Sequence, residues 1–314
     1  MNYMVLKKSD ELLDIKFKGS KSSLSYIKKN TFKYDDKGVL LYKIPYTNKF
    51  DYYPIHMARF SLGNLEVFLE KKEKNYEKIF LDQVNWLFNN LSYKDDFAIW
   101  EHNYTFPFYN FNRTPWAHGL GQGLGMIALL KAYQITDDKK YFDAVFKVLN
   151  SFDIEIEKGG VKFVDESGNV WFEEYAINPP PHVLNGLITI LFCISEVDRV
   201  EKNKQAKALY ESGIKTVKDN LKSYDTGFWS YYDKLNKLPS TLNYHKMHIR
   251  QLKILYELSN DKIYKNYYEK WEKYSNKFLN RKFAGFNRGF YHLKRHGFFG
   301  SIKRFKKRRD WQNK

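Results

Sequence analysis

Cysteine is nearly absent from the 314-residue chain: there is one, Cys193. No internal disulfide can form. Cys193 lies inside the apolar run from Val183 to Ile194, where a thiol serves as a small buried hydrophobe. That run is the longest near-apolar stretch, and its 12 residues fall short of the ~20 a bilayer span needs. The N-terminal MNYMVLKKSDELL lacks an apolar core of signal-peptide length. A soluble, cytosolic chain is expected. Acidic residues are also short: 36 Asp and Glu face 53 Lys and Arg, a net charge of +17. The deficit concentrates at one end. Residues 281–314 hold 12 Lys/Arg against one Asp, eleven of the seventeen net charges. Such a tail suits an anionic polymer or an anionic membrane surface, leaving the protein cytoplasmic or peripheral to a membrane. A solvated tail with no specific partner accounts for it equally well.

What is present is globular. Hydrophobic residues make up 43% and aromatics 18%, with 25 Tyr and 25 Phe. Residues 1–52 are polar and rich in Lys and Tyr, and they read as an irregular arm with one short hairpin about DDKG (35–38). Helical periodicity then takes over, at roughly 56–71, 75–92, 119–134, 138–151, 180–198, 203–222, 244–259 and 262–279. Long aromatic connections interrupt it: 94–118, 155–175 with a β-hairpin around DESGN, and 224–235. AYQITDDKKYF (132–142) is echoed by LYELSNDKIYK (255–265), aligning Tyr133 with Tyr256, Asp138 with Asp261 and Tyr141 with Tyr264. Repeated αα-hairpins of this kind predict a mainly α protein, an α/α barrel or toroid. The division expected is an arm at 1–52, a catalytic domain at 53–280 and a basic tail at 281–314.

Three motifs carry chemistry or imitate it. GLGQGLG (119–125) lacks the sixth-position Gly of a dinucleotide fingerprint. Its glycines fit close helix approach, and Gln122 between them is a candidate site residue. YHKMH offers His245 and His248 on one helical face, but two ligands make no zinc site. They are expected to be hydrogen-bonding residues facing a polar cavity, and no metal or cofactor is expected. WFEEYAINPPPHVLNG (171–186) ends a strand with Glu173, Glu174 and Tyr175. A proline at the first helical position would start the next helix sharply. Asn185, one turn into that apolar helix, needs a partner. A hairpin stabilised by its own glutamates is the structural alternative.

On these residues the chain resembles the C-terminal domain of heparosan-type D-glucuronyl C5-epimerases. YPIHMARFSLG (53–63), WAHGLGQG (116–123), the WFEEY stretch, YESGIKTVKDNLKSYDTG (210–227) and NYHKMHIRQL (243–252) follow the family's order, covering about 53 to 279. The motifs also depart from the family at one run. The family's Tyr-Asp-Leu-Arg becomes Tyr232-Asp233-Lys234-Leu235, so that Lys234 offers a charge without a bidentate grip. The resemblance implies an α/α-barrel isomerase that inverts C5 of a uronic acid in an anionic polysaccharide. It points to Glu174, Tyr175, Asn185, Tyr232 and Tyr244, with Trp116, Gln122, His245, His248 and Arg250 as substrate-binding candidates.

Removing a proton α to a carboxylate needs a base on one face and an acid on the other. Tyrosine, with a pKa of about 10, suits both roles. Tyr175 is expected to oppose Tyr232 or Tyr244. His245, His248 and Arg250 are the expected phenolate stabilisers, and Asn185 and a protonated Glu174 would serve the carboxylate. A lyase acting through the same carbanion, a two-carboxylate hydrolase (from Glu101, Glu173, Glu174 and Asp233) and a non-catalytic glycan-binding protein remain alternatives. The expected partner is a uronic-acid polysaccharide rather than nucleic acid, with room for an anionic membrane and a homodimer.

Overall fold

The computed structural model describes residues 31–45, 47–105, 109, 114–291 and 293–294. Expectations for 1–30 and 295–314 lie outside the described residues. The sequence's eight helices are all present: α1 (Pro54–Lys71), α2 (Lys74–Asn89), α3 (Gly119–Thr136), α4 (Lys139–Asn150), α5 (Leu184–Glu201), α6 (Lys204–Asn220), α7 (Leu242–Ser259) and α8 (Lys262–Asn276). They pack as four successive hairpins, and α1, α3, α5 and α7 also lie side by side in that order. The result is an α/α toroid architecture, with the odd-numbered helices inside and the even-numbered ones outside.

One corner, used four times, produces this arrangement. Every hairpin link is two residues long. Its first residue is left-handed: Lys72, Asp137, Lys202 and Asn260, at φ +62°, +59°, +51° and +54°. That conformation lets the amide cap the preceding helix. Its second residue starts the next helix, and three of the four do so with a side-chain cap. Asp138 accepts from the Lys140 amide, Asn203 from Ala206 and Asp261 from Ile263. The echo in the sequence therefore marks two of four equivalent corners. Its tyrosines, Tyr141 and Tyr264, are both buried in the core. Patterning follows the layers. α5 is buried almost all round, whereas α4, α6 and α8 bury one stripe.

Two-residue corners make each hairpin antiparallel, so the four inner helices run parallel to one another. The long connections must then all gather at one end, where α1, α3, α5 and α7 begin. Before α1 comes an antiparallel sheet of β1 (Phe32–Tyr34), β2 (Leu40–Lys43) and β3 (Phe50–Tyr52), which adds a third strand to the expected hairpin. The Gln83 side chain of α2 ties it down through Leu40 N and Gly38 O at 2.9 Å each. Before α3 lie β4 (Ser92–Tyr93), β5 (Ala98–Ile99), β6 (Glu101–His102) and β7 (Trp116–Ala117). Before α5 lies the expected hairpin, β8 (Lys162–Val164) with β9 (Val170–Phe172), Phe163 facing Trp171.

The start of α5 departs from the sequence expectation. The helix begins at Leu184 rather than at the prolines. Residues 181–184 are instead tied to the loop before α7: Lys234 N donates to Pro181 O (3.1 Å), Leu184 N donates to Tyr232 O (3.2 Å), and Val183 bridges Asp233. A proline at the first helical position is found instead at Pro54 of α1. Beyond α8, residues 278–291 are also helical, a feature absent from the eight expected helices.

Candidate active site

The acids at the end of WFEEY part company. Glu173 turns into the framework: Oε2 accepts the His182 amide at 3.0 Å, and Oε1 pairs closely with His182 Nδ1. The His182 ring stacks on Trp171 at 4.1 Å, and its carbonyl accepts from Tyr224 Oη at 2.6 Å. This knot fixes the turn that launches α5. Glu174 faces the other way, between the first turns of two inner helices. Its carbonyl accepts from Gly119 N at 2.9 Å. A Cβ on Gly119 would stand 2.2 Å from Glu173 O, and one on Gly186 would stand 2.3 Å from Glu174 Oε2. Both glycines exist to let a helix start touch this strand end.

Tyr175 follows, and aromatic rings converge on it. Trp116 of β7 stacks at 6.3 Å, His118 meets it edge-on at 5.0 Å, and Tyr109 does so at 5.4 Å. Tyr232 hydrogen-bonds to Tyr175. Tyr232 comes from the loop paired with residues 181–184, and its ring lies 4.8 Å from that of Tyr244 on the first turn of α7. The three tyrosines named from the sequence thus form one continuous group, although up to 69 residues separate them. Tyr244 is its most exposed member.

Electrostatics set the protonation states. Burial pushes the Glu174 carboxyl up to about 7, opposed by the Arg59 charge and by a hydrogen bond from Tyr175. Burial, with the nearby Glu174 charge, holds Tyr175 and Tyr232 well above the usual phenol range. Both rest as neutral phenols. Burial also holds His118 well below its usual range. Its Nδ1 accepts from Gly121 N at 3.3 Å, so the proton sits on Nε2, which faces Glu174 Oε1 at 3.8 Å. Glu174 Oε2, Asn185 Oδ1 and Gln251 Oε1 are buried without a hydrogen-bond partner. They mark polar capacity that the fold itself leaves unused.

Other expected residues are committed elsewhere. Gln122 clamps the Trp100 backbone, its Oε1 accepting at 2.9 Å and its Nε2 donating at 2.8 Å. His245 and His248 hydrogen-bond within the fold. Both ring Nδ1 atoms meet Ser230 Oγ, at 2.8 and 2.9 Å, and His245 Nε2 meets Trp271 O. Burial lowers them to about 4 and about 3, so neither carries the charge needed to stabilise a phenolate. Arg250 is half-buried on α7, and the cation acting on Glu174 is Arg59 of α1. Lys234 lies over the Trp171 ring at 4.7 Å and donates to Asn220 Oδ1 at 2.7 Å. Residues missing from the sequence-based set are Arg59, Tyr109, His118 and Tyr53, whose ring meets that of His118 edge-on at 5.9 Å. Tyr53 and Arg59 stand in YPIHMARFSLG and His118 in WAHGLGQG, so the signal was the motif rather than the residue type.

Residues 94–273, more than half of the chain, match the model of the D-glucuronyl C5-epimerase C-terminus. Over 178 residues the chain is 36% identical to an uncharacterized protein of Methanocaldococcus jannaschii, covering 56% of this chain and 57% of that one. It is 29% identical to the D-glucuronyl C5-epimerase of Caenorhabditis elegans, covering 51% of this chain and 29% of the relative. The match thus spans less than two thirds of either relative. Among solved structures, a GH76 alpha-mannanase of Bacteroides thetaiotaomicron aligns with TM-score 0.49 and 12% identity, over 85% of this chain and 72% of that chain.

Proposed function

The chain belongs to the D-glucuronyl C5-epimerase C-terminal family, and on that premise we propose that it inverts C5 of a uronic acid residue within an anionic polysaccharide. The conversion is of the D-glucuronate to L-iduronate type. One observation carries the proposal: neutral Tyr175 and Tyr232 meet beside a buried carboxyl that titrates near neutrality. A phenol held far above its usual pKa is a poor base alone. A phenol hydrogen-bonded to a carboxylate can pass its own proton on. Tyr175 therefore takes the C5 proton as its hydroxyl proton moves to Glu174. The electron pair of the broken C5–H bond delocalises into the uronate carboxyl group. Tyr232 or Tyr244 then delivers a proton to the opposite face of C5. Protonated Glu174 and the Arg59 charge favour the developing anion.

The test is NMR of uronate polysaccharides incubated with the protein in D₂O. Deuterium at C5 in intact chains is expected. New unsaturated ends would mean a lyase instead, and new reducing ends a hydrolase. Tyr175→Phe should cut C5 exchange about 10²- to 10⁴-fold, the usual worth of a proton-transfer group. Wild-type exchange from both starting epimers in that variant would remove Tyr175 from the chemistry.

A further inference from the structure

The helix at 278–291 displays an apolar stripe that nothing in the described fold covers. Leu279, Phe283, Phe286, Phe290 and Leu293 recur at spacings of four, three, four and three, so they lie along one line of the helix surface. Phe286 is 71% exposed and Leu279 66%. The helix is nonetheless anchored. Ala284 is buried on the opposite side, and Arg288 Nη1 donates to Pro239 O at 2.8 Å. Pro239 precedes α7 by three residues, which places this anchor on the same loop as Tyr232 and close in sequence to Tyr244.

We propose that this helix docks the protein on an anionic lipid bilayer, laying the Leu279–Leu293 stripe into the interface with Lys282 and Lys294, which flank it, toward lipid headgroups. Charge selects the occupant. Residues 277–294 contain Lys277, Arg281, Lys282, Arg288 and Lys294 and no Asp or Glu, and residues 295–314 add eight Lys/Arg against one Asp. The four-three spacing also suits a coiled-coil seam, but a second copy of this helix would bring only like charges to the flanks. An anionic polysaccharide answers the charge and provides no apolar phase for five Leu and Phe side chains. A bilayer with anionic headgroups answers both. Lys282 illustrates the geometry, its Nζ 5.3 Å from the Phe278 ring, a stem along apolar surface with the charge free to reach outward. Docked in this way, the helix lies between the membrane and the loop that carries Tyr232.

Vesicle co-sedimentation tests this without reference to activity. The probes are vesicles of phosphatidylcholine alone and of phosphatidylcholine mixed equally with phosphatidylglycerol. The wild-type chain should bind the mixed vesicles and bind the neutral ones much more weakly. The triple variant Phe283→Ser, Phe286→Ser, Phe290→Ser changes only exposed side chains, and its affinity should fall by at least about tenfold. Circular dichroism should show the same folded body. Unchanged binding in the triple variant would overturn the proposal, because charge alone would then account for association. So would a wild-type dimer that the triple variant dissociates, with no vesicle binding by the wild type.

Discussion

Replacing Glu174 by Gln should change how stability depends on pH, by an amount set by the burial of that carboxyl. In the folded protein the group titrates at about 7, against 4.5 for an ordinary glutamate. Below 4.5 both folded and unfolded chains carry the neutral acid, and pH has no effect through this group. Between 4.5 and about 7 the unfolded chain ionises while the folded chain resists, so stability falls as pH rises. Above about 7 both forms are ionised and the loss is complete. At roughly 1.4 kcal/mol per pH unit, the window is worth about 3 kcal/mol. Gln keeps the shape and never ionises, so the variant lacks this loss. Urea unfolding of both proteins from about pH 4.5 to about pH 8.5 measures it. The stability of the wild type relative to Glu174→Gln should drop by about 3 kcal/mol across that range. Parallel curves would refute the claim that burial governs this carboxyl, and groups elsewhere cancel in the comparison.

The same group should shape the rate. If Glu174 must be ionised to accept the Tyr175 proton, kcat/KM rises with pH through an apparent pKa near 7, and a flat profile from about pH 5 to about pH 8 would contradict the relay. Gly186→Ala places a Cβ 2.3 Å from Glu174 Oε2 and 2.7 Å from its Cβ. Ala favours a helix over Gly by about 1 kcal/mol, but this side chain is walled in, so the variant should be destabilised by about 1–3 kcal/mol in chemical denaturation.

The helical scaffold was legible because one corner chemistry recurs. A left-handed residue and a capping side chain, as at Asp137–Asp138 and Asn260–Asp261, leave a local imprint that tertiary packing does not override. The PPP stretch misled because pairing with residues 232–235 is non-local. That partner claims the segment just before Leu184 and delays the helix start, and no pattern within 179–186 records it. Polar residues on buried helix faces were ambiguous for a different reason. Gln122, His245 and Asn185 all announce the need for a partner. The sequence does not say whether the partner is a backbone carbonyl, a serine or an outside group. Gln122 found Trp100 and His245 found Ser230 and Trp271, whereas Asn185 Oδ1 found none. Arg59 and His118 escaped because their neighbours come from other hairpins. The apolar stripe after Phe278 is masked by composition, because 12 Lys/Arg in 281–314 share the segment with its regularly spaced Leu and Phe.

The two adjacent acids of WFEEY show how position divides chemically identical groups. Both are buried. Glu173 receives the His182 amide and ring, so a hydrogen-bonded partner offsets the removal of its charge from water. Glu174 lies between the starts of α3 and α5, where the helix dipoles alone would favour an anion and lower its pKa. The opposite shift is found. The dipole effect reaches about 2 kcal/mol at best in partly buried geometries. The Gly119 amide at that end goes to the Glu174 carbonyl rather than to its carboxyl, and Oε2 receives no donor at all. Desolvation therefore outweighs the dipoles, and the carboxyl stays poised between its two forms. A single strand end thus presents one acid fixed for structure and one free to exchange a proton with the tyrosine beside it. That division requires Gly119 and Gly186, because a side chain at either would push a helix start away and admit water to the carboxyl.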